Sequence, residues 1–379
     1  MQETWWVAEG DLDDDQKKIA ALPAKESHLI TGPPGCGKTN LLLLRAKYYT
    51  LQKRENILVL VFTRALRDFI VSGSTQYGLP SEIVLTSIGW SHAFLRQYGK
   101  DLNPSGNFAE QRKRLLQEVR AFVDSRSLKN IYEAIFLDEA QDYLPEEIEL
   151  FRALAKELYA SADPRQKIYS GPDSLSILKK SVNAVHPLRY HYRLGHEICR
   201  VADAIFVGAQ DEPLYNTSLY NEKLRPSSAE LVRCKTEDEQ ASQIVKKLKL
   251  QLAAYPEELL GVVCPYTEQR DRLYNLILKS EIGELAVNQS DEPVFEVEKP
   301  IYVSTLHSSK GLEYRANHLA FAESIRGWDY EKNMTYTAVT RTKTALSVYA
   351  IGQPPNDLAQ AINSLKPPPA PPSVKELFG

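Results

Sequence analysis

Apolar residues fall along this chain in two alternating patterns. Short continuous runs at 27–31, 57–62, 83–86, 134–137 and 167–170 predict strands. Between them lie longer stretches, such as 40–49 and 145–159, where apolar residues return every third or fourth position and predict helices. A second set of apolar runs follows at 230–234, 261–264, 301–305, 318–321 and 345–350. Strands that alternate with helices in this way predict an α/β protein with mostly parallel sheets. Two such sets predict two α/β domains, joined near 181–187.

Composition narrows the picture. The chain has 379 residues, and at roughly 150 residues per domain that length allows two or three domains. With 43% hydrophobic and 25% charged residues it can build a true core, and it is neither disordered nor fibrous. The longest apolar runs are far short of the roughly 20 residues that span a bilayer. The acidic start, with Asp11, Asp13, Asp14 and Asp15, is unlike a secretory leader, so a cytoplasmic protein without a membrane is expected. Cys36, Cys199, Cys234 and Cys264 are scattered and predict neither a disulfide framework nor a zinc ribbon. Net charge is −3, but residues 41–130 hold 14 Lys or Arg against 7 Asp or Glu, a local surplus of +7. A proline-rich piece at 367–372 predicts an extended spacer before a short tail, 373–379.

The chemistry begins after the first strand. Gly32, Pro33, Pro34, Gly35, Cys36, Gly37, Lys38 and Thr39 satisfy G-x-x-x-x-G-K-[ST] between a strand and a helix that takes in Asn40. Glycines at these places let backbone N–H groups turn towards phosphate oxygens at the positive end of a helix. Lys38 supplies a cation for the outer phosphates, and Thr39 a hydroxyl for Mg²⁺. Downstream, the run at 134–137 delivers Asp138 and Glu139 to a strand's C-terminal end, where α/β sheets bind ligands. Asp138 is expected to hold Mg²⁺ and Glu139 to deprotonate the attacking water. The cofactors expected are therefore ATP and Mg²⁺.

Asp138-Glu-Ala-Gln-Asp142 after a P-loop resembles the UvrD/Rep-type superfamily 1 helicases, and other motifs follow in that family's order. Gln16 resembles the glutamine that reads adenine, and Val61 to Ala65 resembles motif Ia. Val84 to Thr86, continuing to His92 and Phe94, resembles the next DNA-contacting motif. His191-Tyr192-Arg193 resembles motif IV, Ser304 to Tyr314 motif V, and Tyr336 to Lys343 motif VI. The resemblance covers about residues 13–350 and implies two RecA-like P-loop NTPase lobes with nucleotide in the cleft between them. Arg193 and Arg341 would then be arginine fingers, since Arg suits bidentate phosphate contact. Tyr192 would stack on adenine, Glu313, beside Gly311, would accept a ribose hydroxyl, and Lys38 and Glu139 would complete the catalytic set. Phe62, Thr63, Arg64, Thr86, Trp90, His92, Thr305 and His307 would meet single-stranded DNA, with RNA left open.

The expected divisions are a first lobe over 1–183 with a small helical insert near 105–130, a second lobe over 184–355 and a proline-rich tail over 356–379. The intervals that carry large accessory domains in known members are short here, about 70 and 110 residues, which implies a stripped two-lobe motor. The family's Gly-Asp-x-x-Gln-Ser-Ile, motif III, aligns with Gly171 to Ile177. Pro172 would then replace the acid, with Asp173 one place on, and Leu175 the glutamine. That alignment implies weakened coupling between hydrolysis and DNA. The activity implied is an ATP-driven 3′-to-5′ translocase or helicase on single-stranded DNA. The alternative is a nucleotide-dependent switch that senses DNA and controls a partner such as a nuclease.

Overall fold

The computed structural model describes residues 9–102, 106–169, 171–206, 212–289 and 299–365. The first lobe contains α1 (Asp14–Ala20), β1 (His28–Thr31), α2 (Lys38–Leu51), β2 (Ile57–Val61), α3 (Arg64–Tyr77), β3 (Val84–Thr86) and α4 (Ser87–Gln97). It continues with α5 (Phe108–Ser125), β4 (Tyr132–Leu137), α6 (Pro145–Leu154), β5 (Ala155–Ala162), α7 (Leu175–Ser181) and β6 (Ala184–Pro187). Its six strands lie in the order β3-β2-β4-β5-β1-β6, every pairing parallel. Helices cover both faces, which is why a strand such as β2, Ile-Leu-Val-Leu-Val, is apolar at every position and buried throughout.

The second lobe contains α8 (His196–Ile205), α9 (Leu214–Thr217), β7 (Ser228–Arg233), α10 (Glu237–Ala254), β8 (Leu260–Cys264) and α11 (Thr267–Leu278). It ends with β9 (Ala286–Asn288), β10 (Ile301–Thr305), β11 (Tyr314–Leu319), α12 (Glu331–Thr340), β12 (Thr342–Ala350) and α13 (Asn356–Ser364). Its six strands form a second parallel sheet, β7-β12-β11-β8-β10-β9. Both lobes are RecA-like. Among the described residues no helix is long and apolar enough to cross a membrane.

Four expectations need correction. The helix expected over 145–159 stops at Leu154, and Ala155–Ala162 is a central strand between β4 and β1. Ala155-Lys-Glu-Leu-Tyr-Ala-Ser-Ala162 favours helix locally, but the open slot between two strands offers hydrogen bonds on both edges, and tertiary context prevails. The strand expected over 167–170 is absent from the described part, Lys167 to Tyr169. The first lobe extends past 183, because Ala184–Pro187 pairs with β1 as its edge strand. The expected tail begins as a packed helix, with Leu358, Ala361 and Ile362 of α13 buried in the core of the second lobe. The proline spacer at 367–372 and the tail 373–379 lie outside the described residues.

The insert expected near 105–130 is α5, an 18-residue helix capped by Asn107 and Glu110. Its Leu115, Val119, Phe122 and Val123 are buried. It also buries Arg112, whose guanidinium pairs with Glu147 of α6 and donates to the Asp142 carbonyl at 2.8 Å. Through that arginine the insert is fastened to the turn that follows β4.

Candidate nucleotide cleft and nucleic-acid face

The P-loop runs from the end of β1 into α2. Gly35 and Gly37 have φ of +73° and +84°, and a Cβ at Gly35 would lie 2.8 Å from Leu194 Cδ1. Only glycine meets both demands at position 35. The N-cap of α2 is Gly37, which has no side chain to cap the first turn. Lys38 lies across the loop and donates to the carbonyls of Gly32 at 2.9 Å and Pro33 at 2.8 Å. Burial draws its ammonium pKa down, but Cys36, Asp163, Glu139 and Asp138 together raise it above the usual lysine value. Cys36 itself is fully buried, and Asn40 nearly so.

Thr39 Oγ1 donates to Asp138 Oδ2 at 2.8 Å, and Ser161 on β5 donates to the other carboxylate oxygen. A hydroxyl and a carboxylate thus share one point at the mouth of the P-loop. Burial and the neighbouring Glu139 push the Asp138 carboxyl above the ordinary range. Glu139 sits in the left-handed region, φ +50°, where the chain leaves β4. Burial would raise its pKa, but Lys310, Arg341 and Lys38 outweigh it and hold the carboxyl below its ordinary value. The Gln141 amide donates to Glu139 at 2.5 Å and accepts from the Asp163 N–H at 3.1 Å.

The second lobe reaches into this cluster. Lys310, fully buried, pairs with Asp142, lies 3.6 Å from Glu139 and donates to the Gln166 carbonyl at 2.6 Å. Arg341 donates to the Gln166 amide oxygen, and Gln166 Nε2 donates to Asp163 Oδ2 at 2.9 Å. Arg341 also reaches the Leu312 carbonyl at 3.3 Å, while its buried Nε has no hydrogen-bond partner among the described residues. Arg193 pairs with Glu313 at 2.9 Å. Tyr192 donates its N–H to the Gly35 carbonyl at 3.3 Å and its hydroxyl to Asp13. The Gln16 amide closes the capping box of α1 and donates to the Cys36 carbonyl at 3.0 Å, tying that helix to the P-loop. Gly311 rests against Leu66 of α3, and the Thr63 hydroxyl donates to the Lys310 carbonyl at 3.0 Å.

These contacts overturn the expected motif III alignment. Gly171 and Pro172 only lend their carbonyls to Lys167, and Leu175 opens α7 with its amide bonded to Asp173. The acid and glutamine at the end of β5 are Asp163 and Gln166, in Ala162-Asp163-Pro164-Arg165-Gln166-Lys167-Ile168. That string keeps the Asp, Gln and Ile of the motif at the same spacing. Asp163, Gln166, Asp142 and Lys310 are the cleft residues that sequence reasoning missed. The Asp-x-x-Gln-x-Ile spacing was the available signal, hidden by the helix expected over β5.

The expected nucleic-acid contacts divide. Phe62 is 7% exposed and packs on Tyr169 and Tyr143 beneath the Arg112 guanidinium, so it cannot offer a face to a base. Trp90 is 2% exposed, with Nε1 donating to the Tyr132 hydroxyl at 3.0 Å. Both belong to the core. Thr86 caps α4 through the Gly89 N–H, and the buried Thr305 hydroxyl bonds Ser308. Arg64 is exposed at the head of α3, and His92 and His307 are half-buried. The surplus of positive charge over 41–130 is smaller at the surface than its sum, since Arg45 and Arg112 are buried.

Among curated protein sequences none matches this chain. A family model described as an AAA domain matches residues 16–172, and one described as the UvrD-like helicase C-terminal domain matches 300–349. Among solved structures, the arterivirus nonstructural protein 10 helicase in complex with DNA is similar at 16% identity and TM-score 0.43, covering 93% of this chain and 66% of that one. A second structure of the arterivirus nonstructural protein 10 helicase gives 16% and 0.44, covering 92% and 63%. The C-terminal domain of a possible DNA helicase from Lactobacillus plantarum WCFS1 gives 18% and 0.35, covering 46% and 96%. The chain thus spans just under two thirds of the arterivirus chains. One family match carries the P-loop, Asp138 and Gln166, and the other, to the UvrD-like helicase C-terminal domain, carries Lys310 and Arg341, which meet them across the cleft, so the two matched regions build one site and the chain resembles the UvrD-like helicases.

Proposed function

We propose that this chain is an ATP-driven motor that moves along single-stranded DNA, 3′ to 5′. The observation that carries the reading is the run of contacts Arg341–Gln166–Asp163, beside Lys310–Asp142 and Lys310–Glu139. Cations of one lobe are bonded to acceptors that flank the P-loop of the other. Any change in what the P-loop holds is therefore felt across the seam.

The residues suit ATP and Mg²⁺. The glycine-capped N-terminus of α2 and the Arg341 Nε, unpartnered among the described residues, fit an anion in the cleft, and the Thr39 hydroxyl with the Asp138 carboxylate fits a hard cation. Bound there, the nucleotide supplies the phosphoanhydride bond to be broken and the metal the charge to offset its oxygens. Lys38 would give up its loop carbonyls for phosphate oxygens. Glu139, held anionic by its cationic neighbours, accepts a proton from water and so raises its nucleophilicity. Arg341 and Arg193, now bonded to Gln166 and Glu313, would supply positive charge for phosphate oxygens. Gln141, bonded to both Glu139 and the Asp163 N–H, holds the base in place.

Steady-state ATP hydrolysis with oligo(dT) of graded length tests the reading. Turnover should rise strongly with the single strand and track its length. Equal turnover with and without the strand would overturn it.

A further inference from the structure

We propose that Lys343 is a positioning residue for Arg193: it takes over Glu313 as counterion when Arg193 leaves that carboxylate for phosphate. This role rests on the reading above, in which Arg193 serves the nucleotide, and it names the group that makes the release of Arg193 possible.

Arg193 is held away from phosphate as it stands. Its guanidinium pairs with Glu313 at 2.9 Å, and both side chains are largely buried. Among the described residues no other group donates to Glu313. Withdrawing Arg193 alone would strand a buried carboxylate, which is costly unless a second cation stands beside it. Lys343 is that cation. The start of β12 grips both ends of the pair. The Lys343 carbonyl accepts from the Gly195 N–H at 2.8 Å, two residues after Arg193, and the Arg341 carbonyl accepts from the Tyr314 N–H at 2.8 Å, next to Glu313. Tyr314 lies opposite Thr342 in the parallel register, which puts Glu313 and Lys343, one residue to either side, on one face.

Lys343 is also uncommitted. Charged groups reach it from three segments: Glu313 and Arg315 at the start of β11, Arg193 before α8 and Glu258 before β8. Arg315 at 2.6 Å and Arg225 at 3.2 Å already hold Glu258. The half-buried Lys343 ammonium has no hydrogen bond or ion pair among the described residues. Burial lowers its pKa to about 8, with Glu313 and Glu258 raising it and Arg193 and Arg315 lowering it. Arg341 acts on Glu313 as well. Departure of Arg193 removes a repelling charge and leaves Glu313 to Lys343, so the amine binds its proton more tightly. Nucleotide binding is thereby linked to uptake of a proton from solvent.

The test is calorimetric binding of a non-hydrolysable ATP analogue with Mg²⁺ to the full chain at pH 8, in buffers of different ionisation enthalpy that count protons. About half of Lys343 is charged at that pH, so the wild type should take up roughly half a proton more than Lys343→Arg, whose guanidinium is always charged. Strand-stimulated turnover reads the same linkage. Lys343→Met should lower kcat roughly tenfold with KM little changed. Lys343→Arg should keep kcat and lose the wild type's fall in kcat/KM above pH 8. In an Arg193→Ala background Lys343→Met should cost nothing further, because Lys343 acts through Arg193. Equal proton counts in the wild type and Lys343→Arg would overturn the proposal and leave the motor standing, as would a full further loss in the Arg193→Ala background. If Lys343→Met fails to fold, the proton count, which needs only the arginine variant, still decides. Wild-type turnover in Arg193→Ala would overturn the phosphate role of Arg193 in the reading above, and this role with it.

Discussion

Gln166→Leu separates the lobes' shared contact from the rest of the cleft. The wild-type amide is 2% exposed and makes two bonds, accepting from Arg341 and donating to Asp163 Oδ2 at 2.9 Å. Leucine keeps the volume and makes neither. Asp163 retains the Arg165 N–H at 3.1 Å and the Arg165 side chain at 3.6 Å, so the first lobe keeps its fold. Among the described residues Arg341 then retains only its 3.3 Å contact to the Leu312 carbonyl. A hydrogen bond to a charged group contributes about 1.5–3 kcal/mol, and the Arg341 bond exists only while the lobes meet. Losing about 2 kcal/mol from the closed arrangement alone lowers its population, and with it turnover, about 30-fold. The Lys310 bond goes to the Gln166 backbone and survives. Nucleotide affinity, set on the P-loop side, should change far less than turnover. The assay is steady-state ATP hydrolysis at saturating single strand, paired with binding of a fluorescent nucleotide. As a control, Leu175→Gln should leave turnover unchanged, because Leu175 heads α7 and packs against the core of the first lobe. Wild-type turnover in Gln166→Leu, or a changed turnover in a folded Leu175→Gln, would refute this reasoning.

Four further outcomes are expected. Lys38→Ala should weaken nucleotide binding, whereas Glu139→Gln should hold nucleotide but lose about 10²- to 10⁴-fold in turnover, as single-turnover kinetics will show. Arg341→Ala should cost on the order of 10³-fold in turnover with affinity little changed, and a loss of affinity alone would make it a ground-state contact. Arg112→Met should destabilise the first lobe by about 3–5 kcal/mol in urea, because it strands the buried Glu147, and adding Glu147→Met should recover most of that. Burial lowers the pKa of His318 to about 3, so it stays neutral between the Tyr349 hydroxyl and Gln251. Its folded pKa lies below the unfolded value, so its contribution is complete above about pH 6.5 and is lost as pH falls towards 3, by up to about 1.4 kcal/mol per unit. His318→Asn should flatten stability against pH in that window, and an unchanged slope would count against it.

Much of the α/β architecture could be read from the chain because parallel strands buried on both faces carry no charged residues, as in β2, β8 and the last four residues of β4. β5 could not, since Ala, Glu, Lys and Leu favour helix and only the slot between β4 and β1 makes them a strand. That single misreading displaced motif III by nine residues and concealed Asp163 and Gln166. The P-loop and the Asp138-Glu139 pair were legible because their chemistry is written in adjacent residues. The seam was not, because Lys310 and Gln166 are 144 positions apart and nothing local marks them as partners. Phe62 and Trp90 show the opposite failure. An aromatic at a motif position says nothing about which way its ring faces, and both rings turned inward.

Displacement of streptavidin from biotinylated single-stranded DNA tests the central claim, that the closing and opening of this cleft moves the chain along a strand. With ATP, the account predicts faster release of streptavidin from the 5′ end than from the 3′ end, and no acceleration at either end in Glu139→Gln. Strand-stimulated ATP hydrolysis with no displacement from either end would contradict it and leave a nucleotide switch in its place.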